Sequence, residues 1–375
     1  MKKITFAFIF CAIISCNSNE EINGVINIDD IAEVSFYDIF SSVEIIPLET
    51  TNQSLLSMQP VNKSIFENNK FYIKNDKKME ILVFEENGKF IKSIDHLGRG
   101  VGEYTYIQDF NINRFTGNLE ILTLSNILAY NIDTDLFIEE YPIPVPPKHA
   151  VNHFMNLTNE IDVFYSIFEN KKITIFSRKE NRILNEYYEL PEFIYRKTFL
   201  NPIGTPFYLY NDTVKFFQDY NGEIFSINNQ DYNASTTHRW NFGERELKLS
   251  DIPDDLLGRK EYKDYISKLR LKHALHFMFN GETSEYIISK FYYKESTLTI
   301  FKSKDTKTNY IFDKFKEGFG ITLHLITEDA IYASVPYSKI PDYVNVDLLT
   351  EENRAKLSNL TEDDNDVIIK YVFKK

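Results

Sequence analysis

Short apolar runs separated by turn residues return along this chain at a nearly regular interval, and that periodicity limits the folds open to it. One unit reads Phe71-Tyr72-Ile73, then Glu80-Ile81-Leu82-Val83-Phe84, then Asn87-Gly88, then Lys89-Phe90-Ile91-Lys92-Ser93-Ile94. The Asn-Gly dipeptide supplies the positive φ angles of a tight hairpin. Comparable runs open at Leu119, Ile161, Thr213, Glu285 and Ala330, so successive starts lie 48, 42, 52, 72 and 45 residues apart. Alternating runs rich in aromatic and β-branched residues, bounded by turn signals, argue for strands. A period near 40–50 residues with several strands per repeat is that of propeller blades. Six starts predict six blades: an all-β, six-bladed β-propeller of four-stranded antiparallel blades over residues 33–375, with short helical insertions.

The wide interval marks an insertion at about 250–275. Ser250-Asp251-Ile252-Pro253-Asp254-Asp255 reads as a helix start, with an early proline and acids near the N-terminus. Leu256, Leu257, Tyr262, Tyr265, Ile266 and Leu269 follow roughly at helical spacing. A second helix is expected at about 350–360, where Glu351 and Glu352 follow Thr350 as its cap. Only 13 Gly and 12 Pro serve the turns, so Asn, Asp and Lys must supply most of them, while 31 Phe and 24 Tyr supply core area.

The N-terminus reads as a signal peptide over residues 1–15: Lys2 and Lys3, an apolar run from Ile4 to Ile14, then Ser15 and Cys16. The apolar run is too short to span a bilayer. Ile13-Ile14-Ser15-Cys16 resembles a lipobox, so Cys16 is the expected lipidation site. Several acyl chains hold a protein stably at a membrane, each buried methylene contributing roughly 0.8 kcal/mol. Residues 16–32 are the acylated Cys and a polar tether. Cys11 leaves with the signal, so the mature chain has no intramolecular disulfide and depends on core burial. Loss of Lys2 and Lys3 leaves 40 basic against 55 acidic residues, a net −15. Such a surface excludes nucleic acid as a partner, since backbone binding needs clustered cations.

Four segments carry a family resemblance. Val43-Glu44-Ile45-Ile46-Pro47-Leu48-Glu49-Thr50-Thr51 resembles an opening strand, and Phe84-Glu85-Glu86-Asn87-Gly88-Lys89-Phe90-Ile91 a hairpin of the form F-D-x-x-G-K-F-I. Gly98-Arg99-Gly100-Val101-Gly102-Glu103-Tyr104 resembles a G-R-G-P-G-E-Y loop, with Val101 in place of proline. Asp363-Asp364-Asn365-Asp366-Val367-Ile368-Ile369 resembles D-N-P-V-L, with Asp366 in place of proline. Together they resemble the six-bladed β-propeller lipoproteins of Bacteroidetes, relatives of the NHL and TolB-like propellers. The resemblance implies that a strand near Val43–Pro47 completes a blade with the C-terminal strands, removing free sheet edges. It also implies a lipid-anchored protein of the outer membrane, and Glu20 and Glu21 after Cys16 favour the cell surface over the periplasmic face.

The loop Gly98–Tyr104 is the candidate ligand site. Arg99 is suited to fork a carboxylate or sulfate, Glu103 adds an anion, and Tyr104 offers a ring to stack on a sugar or apolar group. The same residues also suit a structural clasp, with Arg99 and Glu103 paired across blades. No metal or cofactor is expected: His149 and His153 follow a proline-rich stretch, and His273 and His276 have no carboxylate at ligand spacing. No Gly-x-Ser-x-Gly elbow is present, so no catalytic residue is assigned. The expected function is a binding or scaffolding module for a glycan, a peptide or an outer-membrane partner protein. The alternative is a propeller lyase or hydrolase with its site at the channel mouth.

Overall fold

The chain closes into a ring by giving its first strand to its last blade. The structure, a computed structural model, describes residues 24–29, 31, 33–56, 63–144, 151–167, 169–191, 205–218, 220–253 and 259–375. Residues 1–23, with the expected signal peptide and Cys16, lie outside them. The first strand is β1 (Phe40–Pro47). Blade one follows as β2 (Ser64–Glu67), β3 (Lys70–Asn75), β4 (Glu80–Glu85) and β5 (Phe90–Ile94). Blade two is β6 (Asp109–Ile112), β7 (Leu119–Leu122), β8 (Asn126–Tyr130) and β9 (Phe137–Pro142). Blade three is β10 (Val151–Asn156), β11 (Ile161–Ser166), β12 (Lys171–Ser177) and β13 (Arg182–Glu189). Blade four is β14 (Phe207–Tyr210), β15 (Thr213–Phe217), β16 (Glu223–Ile227) and β17 (Ala234–Arg239). Blade five is β18 (Leu275–Glu282), β19 (Tyr286–Tyr293), β20 (Ser296–Ser303) and β21 (Asn309–Phe312). Blade six is β22 (Leu325–Ile326), β23 (Ala330–Val335) and β24 (Val367–Phe373), with β1 outermost. The expected six-bladed propeller of four-stranded antiparallel sheets is the observed fold.

The six run starts read from the sequence are the second strands of the blades. A second strand is covered on both faces by neighbouring blades, so it reads as a continuous apolar run rather than an alternating one. Accordingly β7 and β11 are buried at every position and β3 at all but its first. Asparagine and aspartate do the work of glycine in the turns. Asn113, Asn131 and Asn228 each accept two backbone N–H groups from the residues that follow. Asn68, Asn69, Asn181, Asn211 and Asp212 hold positive φ, a conformation that short polar side chains tolerate.

Ring closure is over-determined. In the β1–β24 ladder Val43 faces Tyr371, Ile45 faces Ile369 and Pro47 faces Val367. Asn365, from the tail segment, donates its amide to Glu49 O (2.9 Å) and Ser54 O (2.8 Å) and accepts Leu56 N–H (2.8 Å). Just before β1, α1 (Phe36–Ile39) is held by a Ser35 capping box. Phe40 stacks on Phe36 and on Phe373, while Phe315 meets Phe36 edge-on and Phe319 packs against it at a tilt. The insertions carry α2 (Arg259–Arg270), α3 (Ile340–Tyr343) and α4 (Glu351–Ser358), the last capped by Thr350 as expected. From α4, Asn353 accepts Ile45 N–H (3.0 Å) at the free edge of β1 and so occupies a position where another strand would add.

Part of the expected tether is not loose. Ile26 and Ile28 are buried in a cluster with Trp240, Phe242 and Phe291, and Ile26 N–H bonds Asn241 O at 2.8 Å. Asp29 then accepts from Arg245 (2.8 Å), Lys294 (2.8 Å) and Tyr293 (2.5 Å). The alternation of Ile26 and Ile28 about Asn27 places both isoleucines on one face, which is enough to hold the segment down.

Two carboxylates interrupt the apolar second strands of blades two and three. Glu120 and Asp162 are fully buried, and Arg178 lies between them. Its guanidinium forks Glu120 at 2.8 and 2.5 Å and Asp162 at 2.5 and 2.9 Å, with the Tyr141 ring 4.1 Å away. Asn156 donates to both acids and Asn113 to Glu120. Two negative charges still share one cation, and burial pushes the Asp162 carboxyl up to about 6 against the pull of Arg178. Arg178→Met should destabilise the fold by about 3–5 kcal/mol, because two desolvated acids lose their partner. Arg178→Lys should fall well short of wild type, since a point ammonium cannot fork both. Urea midpoints measure both, and an unchanged midpoint for Arg178→Met would remove the cluster from the account of stability.

Candidate functional site

The loop Gly98–Tyr104 folds on itself at the seam between blades one and two. Gly98 N–H bonds Tyr104 O (2.8 Å), Tyr104 N–H bonds His96 O (3.0 Å), and Glu103 accepts Gly100 N–H at 2.7 Å. A side chain at Gly98 would strike the Glu103 carboxylate, with an added Cβ 1.9 Å from it. Gly102 holds φ +71°, and its carbonyl accepts the Tyr130 hydroxyl at 2.8 Å. Tyr104 is buried among Ile94, Ile107, Tyr130 and Phe137, and burial pushes its hydroxyl well above the usual tyrosine range. It is therefore core, closed to the stacking role expected of it. Glu103 is spent on its own loop rather than on a cross-blade pair, and Arg99 is exposed. The three residues share a loop, and none of them lines the central channel.

The concave site is the central channel. The first strands of the blades surround a cavity of about 570 Å³. Phe66, Met155, Phe207, Phe279, Leu323 and Ile326 give its wall an apolar character. Among these are polar side chains from blades four to six: Tyr208 on β14, Asn280 on β18, Lys290 on β19 and His324 just before β22. Tyr292 and Tyr343, the latter at the end of α3, lie on the same wall.

Three of the four polar groups are oriented by a neighbour. Trp240 Nε1–H donates to Asn280 Oδ1 at 3.1 Å, which fixes the amide and leaves its NH2 as the free end. Ser334 N–H donates to His324 Nδ1 at 3.0 Å, so the neutral ring carries its proton on Nε2. Enclosure holds His324 at about 4, with the Lys290 charge a smaller cause in the same direction. Lys290 donates to Ile321 O at 2.5 Å, and desolvation lowers its ammonium to about 8. The Tyr208 hydroxyl is buried without a partner among the described residues, and burial raises it well above the usual range. Beside the channel, buried Asp109 pairs with Lys63 at 3.2 Å and accepts Phe154 N–H at 3.2 Å. The Lys63 charge leads the attractions that bring the Asp109 carboxyl down to about 2 against its own burial.

Of the histidines considered as ligands, His149 lies outside the described residues and His153 sits 3.5 Å from Asp109. Among the described residues no group of three or more His, Cys, Asp or Glu side chains is placed to hold a metal. The sequence reading missed the channel groups. The signal for Lys290 was present: it is a charge inside the apolar run Tyr286-Ile287-Ile288-Ser289-Lys290-Phe291.

Residues 20–372 match a family described as a domain of unknown function, DUF4934. The chain belongs to this family. Its fold is that of a putative exported protein from Bacteroides fragilis, at 16% identity with a TM-score of 0.75, covering 92% of this chain and 98% of that one. A member of the DUF4221 family from Bacteroides vulgatus shares 13% identity with a TM-score of 0.53, over 92% of this chain and 99% of that one. No curated protein sequence matches the chain.

The seam loop and the core tyrosine separate cleanly in a stability measurement. Arg99→Ala should leave the unfolding midpoint within about 0.5 kcal/mol of wild type, because an exposed side chain without core contacts is removed. Tyr104→Ala should cost about 3–5 kcal/mol through the cavity it opens.

Proposed function

We propose that this member of DUF4934 is a ligand-binding module held at the bacterial cell envelope, with its central channel as the binding site. The observation that carries this reading is the channel itself. It is a cavity of about 570 Å³ with an aromatic and aliphatic wall and a few oriented polar groups. That combination is typical of small-molecule sites, which run from roughly 300 to 1,000 Å³. Of the ligands expected from the sequence, a small organic molecule or a segment of a peptide or glycan suits this volume. A lyase or hydrolase would need an acid and a base on one wall. Lys290 and His324 are present on it, but the described residues lining the channel include no carboxylate to work with them, and this favours binding over chemistry.

The envelope location rests on the N-terminal segment, in which Lys2, Lys3, the apolar run and Cys16 form a lipoprotein-type signal. The description of the Bacteroides fragilis relative as a putative exported protein is in keeping with it. Among the described residues no helix is long and apolar enough to cross a membrane. We place the protein on the outer membrane through acylated Cys16, with Glu20 and Glu21 favouring the cell surface, as in the NHL and TolB-like lipoprotein relatives it resembles.

Two measurements test these readings separately. Cys16→Ala should move the protein from the membrane fraction to the soluble fraction, and retention in the membrane would end the lipoprotein assignment. For the channel, thermal-shift screening against glycans, short peptides and small organic molecules should find a class that raises the melting temperature with concentration. Ser64→Trp, which fills the channel from β2, should abolish that shift. A shift that survives Ser64→Trp would place the site elsewhere.

A further inference from the structure

Four polar groups on the channel wall, all from blades four to six, offer hydrogen to the cavity, while the hydroxyls of Ser64, Thr205, Thr297 and Thr322 and the oxygen of Asn111, whose NH2 is taken by Asn156, can accept. Asn280 has its oxygen occupied by Trp240 and turns its NH2 outward. His324 has Nδ1 occupied by Ser334 and offers Nε2–H. Lys290 uses one N–H on Ile321 O and retains two. Tyr208 is 9% exposed, and its hydroxyl has no partner among the described residues. The carboxylates nearest the wall are turned elsewhere, Asp109 to Lys63 and Glu282 to Lys215 and Lys304. In a chain with net charge −13, a cavity with no carboxylate among its described lining residues is a selective arrangement.

From Lys290 and the oriented donors around it we propose that the channel binds an amphiphilic organic monoanion, a carboxylate or sulfate ester on an apolar or aromatic body. The inference rests on the channel being the ligand site. An acceptor-rich group suits Lys290, Asn280 and His324 together, and it would give the buried Tyr208 hydroxyl a partner. A single negative charge is required because one unpaired cation, Lys290, faces the cavity, with His324 neutral and Lys63 paired to Asp109. A dianion such as a phosphate monoester would bury an uncompensated charge. The apolar body is required by Phe66, Phe207, Phe279 and Met155, which surround the donors.

Isothermal titration of the purified full chain with 4-phenylbutyrate, 4-phenylbutyramide, phenylethyl sulfate and phenyl phosphate at pH 7 tests the assignment. The carboxylate and the sulfate ester should bind saturably, at least ten-fold more tightly than the isosteric amide and the dianion. Lys290→Met should erase that preference by bringing the affinity of the anions down to that of the amide. Tyr208→Phe removes a single buried oxygen that has no partner to lose, so it should fold normally and weaken the anions three- to ten-fold. Equal binding of carboxylate and amide, or anion binding untouched by both substitutions, would overturn the proposal. If the amide binds and Ser64→Trp abolishes it while the anions show no advantage, the channel remains the site and the anion assignment alone fails. If no probe binds, the anion assignment fails, and the channel reading then stands or falls on the wider ligand screen.

Discussion

Everything in this molecule depends on a closure made by hydrogen bonds and apolar contact between the two ends of the chain. A propeller with an open last blade would expose two long apolar edges, since its strands are covered only when both neighbours are present. The β1–β24 ladder joins residues more than 300 apart, so it forms late in entropic terms and must be held strongly once made. The chain supplies several independent holds: the stacked rings around Phe36 and Phe40, the Asn365 amide tying residues 49–56 to the start of β24, and Asn353 on the outer edge of β1. Asn353 does more than add a bond. It occupies the backbone donor that a second molecule would otherwise use to extend the sheet, so the same contact that stabilises the ring also discourages edge-to-edge association.

With the ring closed, blade faces are buried in pairs, and the polar content of those faces becomes decisive. Glu120 and Asp162 stand in the most enclosed strands, where isolated charges would be untenable. They persist because Arg178 and two asparagines meet their oxygens with directed donors. A buried ionic cluster of this kind adds little net stability compared with an apolar seam. What it does is make one pairing of blades two and three geometrically distinct from any shifted alternative, because a shift strands two acids.

This pattern of burial also explains which features were legible in the sequence. Second strands such as Phe71-Tyr72-Ile73 and Ile161-Asp162-Val163-Phe164-Tyr165 are sandwiched, so evolution fills them with apolar residues and they stand out at a blade period. First strands line the channel and need apolar content on only part of their surface. The β22 strand is two residues long, and β10 reads Val151-Asn152-His153-Phe154, with no pattern a periodicity scan would find. The channel wall, assembled from six such strands, was therefore illegible even though the fold was not. The glycine-rich loop erred in the opposite direction: Arg99, Glu103 and Tyr104 look like a binding constellation on paper. Their spacing instead serves a turn in which Glu103 caps a backbone amide and Tyr104 turns into the seam. Type and spacing in sequence do not distinguish a ring turned inward from one turned outward.

The electrostatics of the channel act in opposite directions at long and short range. The chain as a whole carries a net −13, so an anion at a distance meets repulsion, and that repulsion fades beyond a Debye length of about 8 Å at physiological salt. At contact the relevant charges are those of the wall, where Lys290 is desolvated and the neighbouring groups are donors. Low local dielectric strengthens that attraction where the outer field is weakest. A ligand drawn by its apolar body into the channel therefore experiences the donors only after it has shed water. In the proposed site the affinity of an anionic guest is set by the fit of charge inside the ring rather than by the acidic exterior.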